Sequence, residues 1–372
     1  MKKFFLLAAM VSVALTGCMK NEVYVPKCDT PISFEVANYV AQTRASGVFS
    51  TTETFGVNAW SRDAAASSSV QMMTNQEVSY TDGKWKTATT YYWPINGTVD
   101  FIAYYPTSVV PTIVYDYNGA DTYTYTNYTV ETVADGKDLM YADKAIRFSA
   151  NNTATDNDTE LGYDEPLLGD YGFEGVPTLF RHALAKVNFK VQNGLPTDGV
   201  YSYDIKVNKI TLKVYNQGSV TLKNEGTTAA SRGTWKLPTG NVWTPTDPDA
   251  TLATLTWADT SLTLSDGTAV DYDPRTQYVL PQTLVAGKQT IAVDYTVTQY
   301  QTINIGGTPT KTKISEQNYT PAAFDLEGLT LDSWQMNKNI TYTITLSSIG
   351  TQILFAPAVE EWVDADDSLL IN

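Results

Sequence analysis

The sequence is poor in the residues that most enzymes and metal proteins depend on. Among 372 residues there is one histidine and there are two cysteines. Any Ser–His–Asp relay would have to use His182, and no Gly-x-Ser-x-Gly elbow accompanies it. His182 therefore reads as a structural residue. A zinc site would need carboxylates, because Cys18 and Cys28 are isolated from one another and from His182. Positive charge is also in deficit. Lys and Arg number 25 against 40 Asp and Glu, a formal net charge of −15. Such a chain repels phosphate backbones, which excludes nucleic acid as a partner. No Gly-rich phosphate loop and no basic–aromatic surface is present. From about Thr30 onward there is no long apolar pattern of 3.6-residue period, and no repeat of solenoid length. The expectation is no catalytic residue, no metal and no cofactor.

What is abundant points to strands. The chain has 24 Tyr, 12 Phe and 8 Trp, residues that fit a pleated, half-buried surface. Short alternating runs recur: Ile32, Phe34 and Val36; Val187, Phe189 and Val191; Ile210, Leu212 and Val214; Ile291, Val293, Tyr295 and Val297; Tyr342, Ile344 and Leu346. Each set turns one face of a strand to a core and the other to water. Turn pairs separate such runs: Asp82-Gly83, Asn96-Gly97, Asn118-Gly119, Asn193-Gly194, Asp266-Gly267 and Gly306-Gly307. Short strands with frequent turns predict an all-β chain of sandwich or barrel units. Its length suits two or three domains. The acidic stretch 151–170 reads as a long surface loop, and a domain boundary is expected near residue 176.

The first residues read as a targeting segment. Lys2 and Lys3 precede an apolar run, 4–13, too short to span a bilayer as a helix. Leu15-Thr16-Gly17-Cys18 follows, which looks like a bacterial lipobox. Cleavage before Cys18 would leave its thiol to carry lipid, and several acyl chains on one residue anchor stably where one is marginal. Cys28 is then alone, so the fold is not stapled by an intrachain disulfide.

Two further clusters carry residue types that bind ligands. Asp156, Asp158, Glu160 and Asp164 could attract calcium, but an EF-hand loop needs Gly where Leu161 stands, and solvated loop charge is the simpler reading. Trp85, Tyr91, Tyr92 and Trp93 could stack on sugars, although aromatic residues in a sandwich are usually core or edge.

Several short features, in order, resemble the fimbrillin family of Bacteroidetes-type bacteria, the subunits of type V pili. Ile32-Ser33-Phe34 is followed by Thr43-Arg44-Ala45. Tyr92-Trp93-Pro94 leads into Val99-Asp100-Phe101-Ile102-Ala103-Tyr104-Tyr105-Pro106. His182-Ala183-Leu184-Ala185-Lys186-Val187 opens the second half. Lys209-Ile210-Thr211-Leu212 leads to Gly218-Ser219-Val220. Leu280-Pro281-Gln282-Thr283-Leu284 follows, and then Trp334 with Asn337-Lys338-Asn339 before Tyr342-Thr343-Ile344. The resemblance implies two consecutive transthyretin-like β-sandwich domains. On this reading 1–17 is the signal peptide and 18–44 a lipidated leader with a removable first strand. The domains are 45–176 and 177–372, with a donor strand in 352–372. It further implies a lipidated precursor at the outer membrane, cut between Arg44 and Ala45 and assembled by strand exchange into a surface fimbria that supports adhesion. Ile353, Phe355, Val359, Trp362, Val363, Leu369 and Ile371 are the donor-strand candidates. The implied partners are other fimbrial subunits, the outer membrane through lipid on Cys18, and a host or bacterial surface receptor. The alternative is a non-polymerising outer-membrane surface lipoprotein that binds glycans through exposed aromatic residues.

Overall fold

The structure, a computed structural model, describes residues 31–37, 49–63, 66–94, 97–117, 121–132, 136–142, 144–148, 175–223, 242–247, 249, 251–258, 262–273, 277–327, 329, 331–348 and 352–361. Cys18, Cys28, Arg44, Ala45, the acidic stretch 151–170, and Trp362, Val363, Leu369 and Ile371 lie outside the described residues.

The described residues are all-β, with no helix among them. In chain order the first strands are β1 (Phe34–Ala37), β2 (Thr54–Arg62), β3 (Val70–Thr81), β4 (Lys84–Thr87), β5 (Thr98–Tyr105), β6 (Thr112–Val114) and β7 (Thr122–Thr129). Next come β8 (Met140–Ala142), β9 (Ala145–Phe148), β10 (Val176–His182), β11 (Ala185–Asn193), β12 (Tyr201–Val214), β13 (Gln217–Lys223) and β14 (Thr244–Pro245). The last are β15 (Ala253–Trp257), β16 (Val270–Tyr272), β17 (Tyr278–Val279), β18 (Thr290–Ile305), β19 (Thr308–Tyr319), β20 (Phe324–Asp325), β21 (Lys338–Ser348) and β22 (Gln352–Glu361).

Three groups of strands build three cores. The first is an eight-stranded sheet ordered β2-β3-β4-β1-β10-β8-β5-β9, in which β2 also pairs with β5. That extra pairing closes β2-β3-β4-β1-β10-β8-β5 into a ring. Phe34, Phe55, Val57, Trp85, Trp93, Val99 and Phe101 fill it. The second group is a sandwich. One of its sheets is β16-β11-β21-β22 with β17 beside β11, and the other is β15-β12-β18-β19 with β20 beside β18. Between them lie the residues whose alternation predicted strands: Val187, Phe189 and Val191 from β11, Ile291, Val293 and Tyr295 from β18, and Tyr342, Ile344 and Leu346 from β21. Each such side chain contributes about 1.5–3 kcal/mol on burial.

The third group joins the other two. The sheet β14-β13-β7-β6 takes β7 and β6 from the chain before residue 176 and β13 and β14 from the chain after it. Its core includes Ile102, Tyr123, Tyr125, Ala183, Leu184, Tyr215 and Trp243. The indole N–H of Trp243 donates to the carbonyl of Ala183 at 3.0 Å. This sheet explains why β5 is buried along nearly all of its length. Val99, Phe101 and Ala103 face the interior of the ring, while Ile102 faces the third core. A strand covered on both sides reads as a continuous apolar run rather than an alternating one.

Near residue 176 the chain enters β10, which is still bonded into the ring through β1 and β8. The sandwich begins with β11 at Ala185. Two of the expected turn pairs close hairpins. Asp82-Gly83 joins β3 to β4 with φ of 53° and 78°, and Gly306-Gly307 joins β18 to β19 with φ of 61° and 89°. Positive φ at both central residues is what a two-residue I′ turn demands.

Candidate assembly site

β1 is four residues long and completes the ring. It runs parallel to β10, with Phe34 opposite Val176 and Ala37 opposite Leu179, and it meets β4 antiparallel at Phe34 and Trp85. Backbone bonds extend the hold on its N-terminal side. The N–H of Ile32 donates to Tyr91 O and the N–H of Val176 to Ser33 O, both at 2.8 Å.

The alternation Ile32, Phe34, Val36 determines what this segment buries. Ile32 is 3% exposed and Phe34 4% exposed, and Val36 packs partly against the same core. The Phe34 ring meets Phe55 and Phe101 edge to face, at 6.0 and 5.6 Å between centroids. Phe49, the first described residue after β1, stacks on Phe180 of β10 at 4.9 Å and touches Phe55, Trp85 and Tyr105 by its edges. Tyr105 donates its hydroxyl to Glu53 Oε2 at 3.0 Å. Burial first, and Glu53 second, push that hydroxyl well above its ordinary value, so it stays a donor. Gly175 lies behind β1, where a Cβ would come 2.7 Å from Phe34 C and 2.9 Å from Ser33 O. Only glycine lets the two backbones approach so closely.

Together these residues define a groove between β4 and β10 that one short strand fills. Without β1 the ring would be open there, with unpaired backbone on both sides and Phe55, Phe101 and Trp85 uncovered. The chain from β1 to Phe49 passes through 38–48, the segment that contains Arg44 and Ala45.

The other end of the chain supplies an outermost strand. β22 pairs antiparallel with β21 over its length, from Leu346 opposite Ile353 to Lys338 opposite Glu361. Ile353 is buried, and Phe355 packs half-buried against Phe324 at 5.2 Å. Val359 is 46% exposed and Leu354 49% exposed. Pro357, which lacks an N–H, is tolerated because β22 lies at the sheet edge. Of the expected donor residues, Ile353 and Phe355 thus share one face of β22, while Val359 reaches water.

The remaining candidates fall into packing roles. His182 is buried at the end of β10, and its Nδ1 donates to Asp138 Oδ2. The other oxygen of that carboxylate accepts the Leu139 N–H at 2.7 Å. In the aromatic cluster, Trp85 and Trp93 lie in the ring core, Tyr91 packs against it, and Tyr92 is 47% exposed. Every tryptophan among the described residues is buried or half-buried. Gly175 and Phe49 are not legible in the sequence, because neither a lone glycine nor a phenylalanine outside an alternating run carries a local signal.

A ring closed by one short strand, followed by a β-sandwich with its last described strand at an edge, defines an all-β class of protein. A profile of fimbrillin-like proteins matches residues 43–362. The chain belongs to the fimbrillin-like family, a family of fimbrial proteins. One solved structure agrees in fold, and others are similar over most of the chain. A fimbrial protein from Bacteroides vulgatus superposes with a TM-score of 0.53 at 18% identity, covering 90% of this chain and 99% of that one. The tip fimbrial protein Mfa3 from Porphyromonas gingivalis, with C-terminal truncation, gives 0.36 at 11% identity, covering 89% and 100%. A candidate cell adhesion protein from Bacteroides uniformis gives 0.47 at 16% identity, covering 90% and 99%. No curated protein matches the chain.

Proposed function

We propose that the chain is the lipidated precursor of a surface fimbrial subunit, matured by loss of β1 and polymerised by strand exchange. The observation that carries this reading is the way β1 is held. A four-residue strand closes the ring, buries Phe34 with Ile32 just before it, and leads into 38–48 with Arg44. Cleavage between Arg44 and Ala45 would let β1 leave without cutting any other described strand.

The vacated groove then requires a strand from elsewhere. β22 suits it, since Ile353 and Phe355 repeat the two-residue spacing of Ile32 and Phe34. A strand added to an open edge gains backbone hydrogen bonds as well as side-chain burial. Because the donor and the groove are different surfaces, the contact is heterologous and propagates into a filament. Lipid on Cys18 would hold the precursor at the outer membrane before cleavage. A two-domain division into 45–176 and 177–372 belongs to the same proposal, as does adhesion to a host or bacterial receptor. The glycan-binding alternative would rest on exposed tyrosines such as Tyr80 and Tyr92, since the described tryptophans are buried or half-buried.

N-terminal sequencing of protein recovered from the cell surface tests this reading. Maturation predicts a chain that begins at Ala45. A surface form that begins at Cys18 would mean that β1 is kept and the groove stays filled.

A further inference from the structure

A charged group lies sealed from water beside the ring. The side chains of Lys144 and Asp121 are 0% exposed, and that of Asp100, on β5, is 1% exposed. Lys144 Nζ lies 2.8 Å from Asp121 Oδ2 and 3.2 Å from Asp100 Oδ2, and it also donates to the carbonyl of Asp116 at 3.0 Å. The other oxygen of Asp121, Oδ1, accepts the Asp116 N–H at 2.7 Å. The Tyr115 hydroxyl donates to Asp100 Oδ2 at 2.9 Å, and its ring lies 4.6 Å from the ammonium. Trp60 stacks flat on Tyr115, at 4.5 Å and 4°.

One ammonium lies within reach of two carboxylates in a site closed to water. Burial pushes the Asp121 carboxyl above its usual range, toward the neutral acid.

We propose that Lys144 and Asp121 condense into an intramolecular amide, with Asp100 carrying the proton. A proton first passes along the 2.8 Å contact from Nζ to Oδ2, giving a neutral amine and a neutral acid. The Nζ lone pair attacks Asp121 Cγ, and the carbonyl electrons move onto Oδ1, where the Asp116 N–H holds the developing charge. Asp100 takes the second proton from Nζ and delivers it to Oδ2. The C–N bond forms, the Cγ–Oδ2 bond breaks, and Oδ2 departs as water while Oδ1 returns to a carbonyl. Asp100 ends as it began. The sum is ammonium plus carboxylate giving amide plus water, with no oxidant, reductant or activated co-reactant. Fixed contact between the partners replaces the activation that such a condensation needs in solution. The bond would tie the start of β7 to the start of β9 covalently. It stands independently of whether the chain polymerises.

Peptide mapping by mass spectrometry of the purified full-length chain, digested after denaturation, tests it. A branched peptide is expected that contains both Lys144 and Asp121, lighter by one water than its two linear parts, with no tryptic cleavage after Lys144. Asp100→Asn keeps both joined residues and should yield the linear peptides. Linear peptides with cleavage after Lys144 from the natively folded parent chain would overturn the bond and leave an ion pair. A branched peptide formed equally well in Asp100→Asn would overturn the proton-carrying role.

Discussion

Phe34 lies with its ring edge-on to both Phe55 and Phe101, and it is the largest side chain that β1 commits to the ring. Truncating a buried phenylalanine typically costs about 3–5 kcal/mol, because transfer and cavity terms add. Phe34→Ala should therefore lower the stability of the uncleaved chain by about that amount, read by denaturant unfolding of the ring. Material that has lost β1 should show no effect of the substitution. The tyrosines give a pH dependence whose sign is fixed. Burial pushes the hydroxyls of Tyr104 and Tyr342 up to about 12, above the ordinary value of 10.0. A group whose folded pKa is raised contributes its full stability below its unfolded pKa, and the contribution is lost as pH rises through the folded one. Stability should thus fall between about pH 10 and about pH 12, and Tyr104→Phe should blunt that fall. Unfolding followed alongside tyrosinate absorbance checks both points. A rise in stability across this window would contradict the assignment. His182 and Lys144 show what sequence could and could not give at this scale. A lone histidine in an apolar run was legible as a packing residue. A lysine is by default a surface residue, and nothing local to Lys144 indicates that Asp100 and Asp121 meet it.

At the scale of elements, local periodicity was a good guide wherever a strand has one wet face. β11, β18 and β21 each bury the alternate residues that the sequence marks, because one side of each lies in the sandwich core. Pairing partners were less legible. β7 and β13 bond to one another although about ninety residues apart, from Gln217 opposite Thr129 to Lys223 opposite Thr122. Period-two patterns fix a strand's face but not its neighbour, so the sheet joining the two halves left no local trace. Asn193-Gly194 is a related case. Rather than forming a two-residue hairpin, Asn193 donates to Tyr203 O at 2.8 Å and Leu264 O at 3.2 Å, and Gly194 approaches Leu346. β22 yields a prediction of its own. Its burial rests mainly on Ile353 and Phe355, each worth about 1.5–3 kcal/mol at most, while β11, β12, β18 and β21 hold the rest of the sandwich core. Deleting 352–372 should leave both the ring and the sandwich folded by near-ultraviolet circular dichroism, yet abolish fibre formation. Loss of the sandwich signal would make β22 an integral strand of its own sheet rather than an exchangeable one.

On the scale of the whole molecule, the two ends of the chain are opposite in kind. Near the start, β1 is a short insert deep in a closed ring, flanked by an arginine-containing connection. At the other end, β22 lies along a sheet edge with Leu354 and Val359 facing water. Between them, the sheet β14-β13-β7-β6 takes strands from both halves of the chain. In the proposed assembly each subunit gives one strand and receives another. The most direct test is to cleave the purified full-length chain with an arginine-specific protease, confirm Ala45 as the new N-terminus, and examine it by electron microscopy beside Arg44→Ala treated in the same way. Strand exchange predicts that the cleaved chain loses β1 and forms filaments, whereas Arg44→Ala stays monomeric. A cleaved chain that starts at Ala45 and remains monomeric, or filaments formed equally by Arg44→Ala, would contradict it.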